Sequence, residues 1–259
     1  MGWPEDWDKP SEHNIELCKQ FSKEVYEING FRLLYRFYQP GITGEGSEKV
    51  PLVLYLHGAD AVGKDNELPI TMHDIGTMLA IPSWQREHPC FILAPQYGPS
   101  QYWSQETMKT AVMTLIEEML SEHPEIDSGR LYIYGYSAGG VGTFRMLKEF
   151  PGRFRAAIAI CGATGEEDME RLSDVPIYMI HAEDDEIVRV TYGSSQIYGK
   201  VHLGSRDIWG RYKGVFSKLK YKELPAGYMK KTYGVNAHCS WVEVSDENKP
   251  EYREWLFAQ

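Results

Sequence analysis

Five short apolar runs, at residues 51–56, 90–94, 131–134, 156–161 and 177–181, recur along the chain with helix-length amphipathic segments between them. A strand that is apolar on both faces must be covered on both faces, and strands that alternate with helices build a mainly parallel sheet. The strongest helical pattern runs over 104–122, with Met108, Ala111, Val112, Leu115, Ile116, Met119 and Leu120 at helical spacing. A second helix is predicted from Ala138 to the break at Pro151-Gly152, and a last one over 251–257. Ahead of the apolar runs, residues 23–38 alternate apolar and polar side chains around Asn29-Gly30, the signature of an antiparallel hairpin with a tight turn. The expectation is an α/β fold: a mainly parallel central sheet, an antiparallel N-terminal hairpin and helices on both faces.

No repeat or linker divides the 259 residues, and the stretch 41–47, rich in glycine, reads as a surface turn, so the chain reads as a single domain over 1–259. A net charge of -10 with no dense run of Lys and Arg excludes nucleic acid and anionic membrane as expected partners. The apolar runs are far shorter than a bilayer span, and the acidic, proline-broken start lacks the basic head and apolar core of a secretory signal. Four widely separated cysteines, Cys18, Cys90, Cys161 and Cys239, show no metal or redox spacing and read as free thiols. These features together point to a cytoplasmic protein.

Between the run 131–134 and the helix from Ala138 lies Gly135-Tyr136-Ser137-Ala138-Gly139, a G-x-S-x-G sequence. With 24 glycines in the chain, such a pattern arises by chance in about one sequence in seven of this composition. Its context carries the weight: a sharp strand-to-helix turn lifts the serine above the sheet, near a helix N-terminus whose free N–H groups favour negative charge. The alternative is an ordinary tight turn.

A serine hydroxyl needs a base to become a nucleophile near neutral pH. Of eight histidines, His238 lies in a loop after the last expected strand, whereas His202 comes earlier. An orienting acid belongs between serine and base in the order Ser, acid, His, where His181-Ala182-Glu183-Asp184-Asp185-Glu186 stands. One of these four acids serves as partner; a solvated turn or a calcium-type cation site are the other readings. The loop after 52–56 reads His57-Gly58-Ala59-Asp60, and the backbone N–H groups of Ala59 and Ala138 are the candidate oxyanion donors, with His57 as a brace.

With these elements in order the chain resembles the α/β-hydrolase superfamily. The set Leu56-His57-Gly58-Ala59, Leu93-Ala94-Pro95-Gln96 with Trp103 following, Gly135 to Gly140, and His238-Cys239-Ser240-Trp241 is similar to the esterases and peptidases grouped near polyhydroxybutyrate depolymerases and feruloyl esterases. That resemblance implies a serine carboxylesterase acting on small or carbohydrate-linked esters without a cofactor; an oligopeptidase-like serine peptidase and a non-catalytic binding protein are the alternatives. It assigns the acid to Asp185, four residues beyond the histidine ending its strand. Where such sequences usually carry glycine after His-Gly-Ala, this chain has Asp60. The segment 189–233 is longer than usual and dense in aromatics (Tyr192, Tyr198, Trp209, Tyr212, Phe216, Tyr221, Tyr228), which suits a cap, a homodimer contact or a packed insertion. Trp103 and Trp241 either flank the substrate or fill the core.

Overall fold

The computed structural model describes residues 7–41, 48–165, 169–172, 174–194, 197 and 218–259. The expected turn at 41–47 falls almost wholly outside the described residues, as do Tyr198, Trp209, Tyr212 and Phe216 of the aromatic segment.

A short helix, α1 (Glu12–Cys18), capped by the Ser11 hydroxyl on the Asn14 N–H, leads into the hairpin of β1 (Ser22–Ile28) and β2 (Phe31–Tyr38). Asn29 and Gly30 take positive φ values of 49° and 78°, as a tight hairpin turn demands. The first apolar run forms β3 (Val50–Leu56), after which the chain winds through α2 (Leu68–Thr71) and α3 (Pro82–Glu87) before β4 (Phe91–Gln96). Then follow α4 (Glu106–Glu122), β5 (Ile126–Tyr136), α5 (Ala138–Glu149), β6 (Ala156–Ile160) and β7 (Ile177–Ala182). After β8 (Leu219–Leu224) come α6 (Tyr228–Tyr233), α7 (Trp241–Ser245) and α8 (Glu251–Phe257).

The strands form one sheet in the order β1-β2-β4-β3-β5-β6-β7-β8, antiparallel across β1, β2 and β4 and parallel from β4 to β8. Side-chain alternation assigns the two faces. Leu52, Leu54, Leu56, Leu131 and Ile133 pack with Met108 and Val112 of α4 and Phe144 of α5. Val53, Tyr55, Tyr132, Tyr134 and Tyr136 pack on the opposite face with Leu17 of α1, Ile70 of α2, Trp84 of α3 and Tyr252 of α8. Each fully buried aliphatic side chain of this kind contributes roughly 1.5–3 kcal/mol relative to exposure, so helices are held against both faces, as the apolar runs require.

Two differences from the sequence expectation have physical causes. β8 carries Lys220, Lys222 and Glu223 and forms the sheet edge, where a strand needs only a half-apolar pattern, so no apolar run marks it. The segment between β3 and β4 holds only short helical turns, too brief for a periodic signal. Among the described residues no helix is long and apolar enough to cross a membrane.

Candidate active site

Parallel strands deliver their C-terminal ends to one edge of the sheet, and β3, β5 and β7 all end there in the residues singled out by sequence. At the end of β5 the chain turns so sharply into α5 that Ser137 takes φ 52° and ψ -120°, a left-handed conformation costing about 1–3 kcal/mol for a residue with a side chain. Two glycines make this turn sterically feasible. A methyl group on Gly135 would meet the backbone of Gly139, and one on Gly139 would run into the carbonyl of Leu56. The turn is pinned by the Ser137 N–H donating to the Ile160 carbonyl at 2.9 Å.

His238 reaches this serine from the loop between α6 and α7. Asn236 caps a 3-10 turn at Ala237–Cys239, its side-chain oxygen accepting the His238 N–H at 2.9 Å. The imidazole Nε2 stands 2.9 Å from Ser137 Oγ and Nδ1 stands 2.8 Å from Asp185 Oδ2. A proton on Nδ1 satisfies the carboxylate and leaves Nε2 to accept from the hydroxyl. Beyond His238, the loop is anchored by Glu243, buried in α7, which accepts hydrogen bonds from Lys222, Lys249, Tyr228, Tyr233 and Tyr252. Burial opposes its ionisation, but the Lys249, Tyr252 and Lys222 bonds prevail and hold its carboxyl down to about 2.

Of the four acids after β7, Asp185 alone is buried; Glu183, Asp184 and Glu186 are exposed. Its Oδ1 accepts the N–H groups of Ile187 and Val188 at 2.9 and 3.0 Å, which folds the side chain inward. Oδ2 faces His238 and, at 3.2 Å, His181 Nε2. Burial would raise the Asp185 pKa, but the His181 and His238 bonds outweigh it and keep the carboxyl well below the usual range, hence ionised. In sequence, His181 marks the end of its strand and a candidate metal ligand beside the four acids. Its Nε2 also donates to the Val188 carbonyl at 2.7 Å, and its Nδ1 meets Ser194 Oγ at 3.1 Å. Asp184 instead accepts the Gly227 N–H, and Glu183 the Ala226 N–H, from the loop after β8.

Ala59 opens a 3-10 turn and Ala138 opens α5. An N–H at the first position of a helical turn has no partner within that turn, which leaves both groups as candidate donors. His57 braces the loop: Nδ1–H donates to the Gly58 carbonyl at 2.6 Å while Nε2 accepts from the Tyr97 N–H at 3.3 Å. Burial pushes this imidazole down to about 4, so it is neutral and has no free nitrogen for catalysis.

Both tryptophans offered as substrate flanks are core residues. Trp103 is 4% exposed and donates its indole N–H to the His57 carbonyl; Trp241 is 0% exposed and packs edge-on to His238. Trp7, partly exposed, lies against both His238 and Trp241 with ring centroids 5.9 and 5.8 Å away. No local pattern in the sequence marks Trp7, because its contact is formed across the full length of the chain.

A ligand trio within 4.8 Å is formed by Cys161, Asp185 and His238, all buried. Burial holds the Cys161 thiol well above its ordinary pKa, so beside the acid and base it is a neutral thiol. All four cysteines are buried free thiols.

Residues 101–186, which include the serine turn and Asp185, match the model of the prolyl oligopeptidase family. The fold is similar to that of a thermostable esterase of 34% identity and TM-score 0.83, over 94% of this chain and 64% of that one. More distantly it is similar to the acylaminoacyl peptidase of Pyrococcus horikoshii (14% identity, TM-score 0.61, 93% of this chain and 43% of that chain). Est1E from Butyrivibrio proteoclasticus is matched over 99% of its length and 92% of this chain, at 13% identity and TM-score 0.60. The chain thus spans under two thirds of the esterase and less than half of the peptidase. No protein of curated function matches it in sequence. The eight-stranded sheet, its antiparallel N-terminal pair and these likenesses establish the α/β-hydrolase fold.

Proposed function

We propose that this chain, an α/β-hydrolase in fold, is a serine hydrolase that cleaves carboxylic esters through an acyl-enzyme. The observation that carries the reading is the hydrogen-bonded line Ser137 Oγ, His238 Nε2, His238 Nδ1, Asp185 Oδ2, with spacings of 2.9 and 2.8 Å at its two ends. His238 takes the serine proton as Oγ attacks the ester carbonyl carbon, and Asp185 stabilises the imidazolium that forms. The carbonyl oxygen gains charge against the Ala59 and Ala138 N–H groups. The tetrahedral adduct expels the alcohol, which leaves with the proton from His238. Water, deprotonated by the same imidazole, then releases the acid and restores the serine.

Ester preference draws its support from the 34%-identical esterase. A finer likeness to the group near polyhydroxybutyrate depolymerases and feruloyl esterases rests on His57-Gly58-Ala59, Pro95-Gln96 and His238-Cys239-Ser240-Trp241. A peptidase reading is favoured by the prolyl oligopeptidase match over 101–186. Turnover of nitrophenyl acetate and butyrate beside aminoacyl nitroanilides separates them. Efficient ester cleavage with slow or no anilide cleavage is expected; anilides turned over faster than esters would transfer the assignment to a peptidase.

A further inference from the structure

Asp60 stands where the resembling sequences carry glycine, one residue beyond the Ala59 N–H that is assigned to the oxyanion. Its carboxylate does not reach for water. The side chain is 8% exposed, and Oδ1 lies 2.8 Å from where a Cβ on Gly58 would stand, so the charge folds back over its own loop. A carboxylate so placed and so poorly screened opposes negative charge on a substrate oxygen at the same loop.

Both of its oxygens are engaged. Oδ2 is 2.6 Å from His73 Nε2, and Oδ1 accepts the Tyr136 hydroxyl at 2.7 Å. The side chain of His73 is wholly buried, its Nδ1 3.4 Å from Asp8 Oδ2, which also accepts the Trp241 indole N–H at 3.3 Å. The imidazole lies T-shaped to Tyr136 and tilted against Trp241, at centroid distances of 5.5 and 4.8 Å, and Asp74 follows it in the chain. Burial disfavours a charged imidazole here, but the bonds to Asp60 and Asp8 outweigh it and raise the His73 pKa. Burial opposes ionisation of Asp60 as well, but the hydrogen bonds from His73 and Tyr136 and the nearby imidazole outweigh it and lower the Asp60 pKa. Tyr136 immediately precedes Ser137, and its ring fills the space in front of Gly58. The Asp60 network therefore ties the loop of one oxyanion donor to the turn of the other.

We propose that His73 is a positioning residue for ester hydrolysis: paired with Asp60, it neutralises the carboxylate in the loop that carries the Ala59 N–H and holds that loop against the serine turn. This rests on the reading that Ser137 is acylated.

The test compares the wild-type protein with His73→Gln, Asp60→Gly and the double variant, by nitrophenyl acetate kinetics, fluorophosphonate labelling and thermal melting. In folded His73→Gln, kcat falls roughly 10- to 100-fold with KM little changed, as expected for loss of transition-state stabilisation. Labelling of Ser137 still occurs, more slowly. Asp60→Gly in the same protein removes the uncompensated charge and returns kcat to within a few-fold of the Asp60→Gly single variant. If His73→Gln does not fold, the double variant, which no longer buries the Asp60 charge, carries the test through its kcat relative to Asp60→Gly. A His73→Gln enzyme with wild-type kcat, or a double variant well below Asp60→Gly, overturns the proposal. A wild-type protein that takes no label overturns the hydrolase reading itself, a result distinct from either.

Discussion

Two buried histidines sit within one aromatic cluster, each hydrogen bonded to an aspartate, and they differ in what faces the second ring nitrogen. His238 has Asp185 on Nδ1 and the Ser137 hydroxyl on Nε2; His73 has Asp60 on Nε2 and Asp8 on Nδ1. Trp241 touches both rings. A hydroxyl on the far side leaves the first imidazole able to accept and return a proton, whereas a second carboxylate favours keeping the other charged. Residue type and burial are shared, so the difference in chemistry comes from one neighbouring group on each ring.

The comparison breaks most visibly at the nucleophile. Ser137→Ala leaves the His238 and Asp185 pair in place but removes the proposed nucleophile, and kcat for nitrophenyl acetate is expected to fall by on the order of 10⁴-fold or more. Asp185→Asn is expected to cost about 10³- to 10⁴-fold in kcat, because an amide no longer enforces a proton on Nδ1 and leaves the forming imidazolium without its counter-charge. Retention of most activity by either variant would remove the distinction between the two histidines.

Stability against pH sharpens it. The folded-state pKa of His57 is depressed by burial to about 4, so the folded protein resists a proton that the unfolded chain accepts near ~6.5. Stability is therefore lost as pH falls from ~6.5 toward 4, by on the order of 3 kcal/mol in total. In His57→Gln that part of the slope is absent, which urea melts between pH 4 and 7 would register. His73 runs the other way. Its folded pKa is raised, so its contribution is full below ~6.5 and fades as pH rises through the folded value. The deficit of His73→Gln relative to wild type accordingly shrinks toward alkaline pH. The smallest effects belong to the exposed acids beside Asp185: Asp184→Asn and Glu186→Gln change stability by within about 0.5 kcal/mol and leave kcat within a few-fold.

The contrast between these sites also explains what the sequence made legible. Ser137 and His238 announce themselves because the geometry each needs leaves a local trace, a glycine-flanked serine between strand and helix and a histidine in a late loop. Asp185 is harder: four neighbouring acids look alike, and only the family spacing chose among them. What distinguishes it in three dimensions is a pair of backbone N–H groups, from Ile187 and Val188, that pattern alone does not reveal. His73 leaves no trace at all, since its partners lie 13 and 65 positions away. The parallel strands were legible because burial on both faces makes them continuous apolar runs, while β8, polar and at the edge, was not.

The central claim is that Ser137 is made nucleophilic by the imidazole beside it. Reaction of the folded protein with a fluorophosphonate, followed by mass spectrometry of its peptides, tests this most directly. The account predicts one adduct, on the peptide at Ser137, absent from Ser137→Ala and nearly absent from His238→Ala. A folded protein that stays unmodified, or that carries the adduct on a different residue, would contradict it.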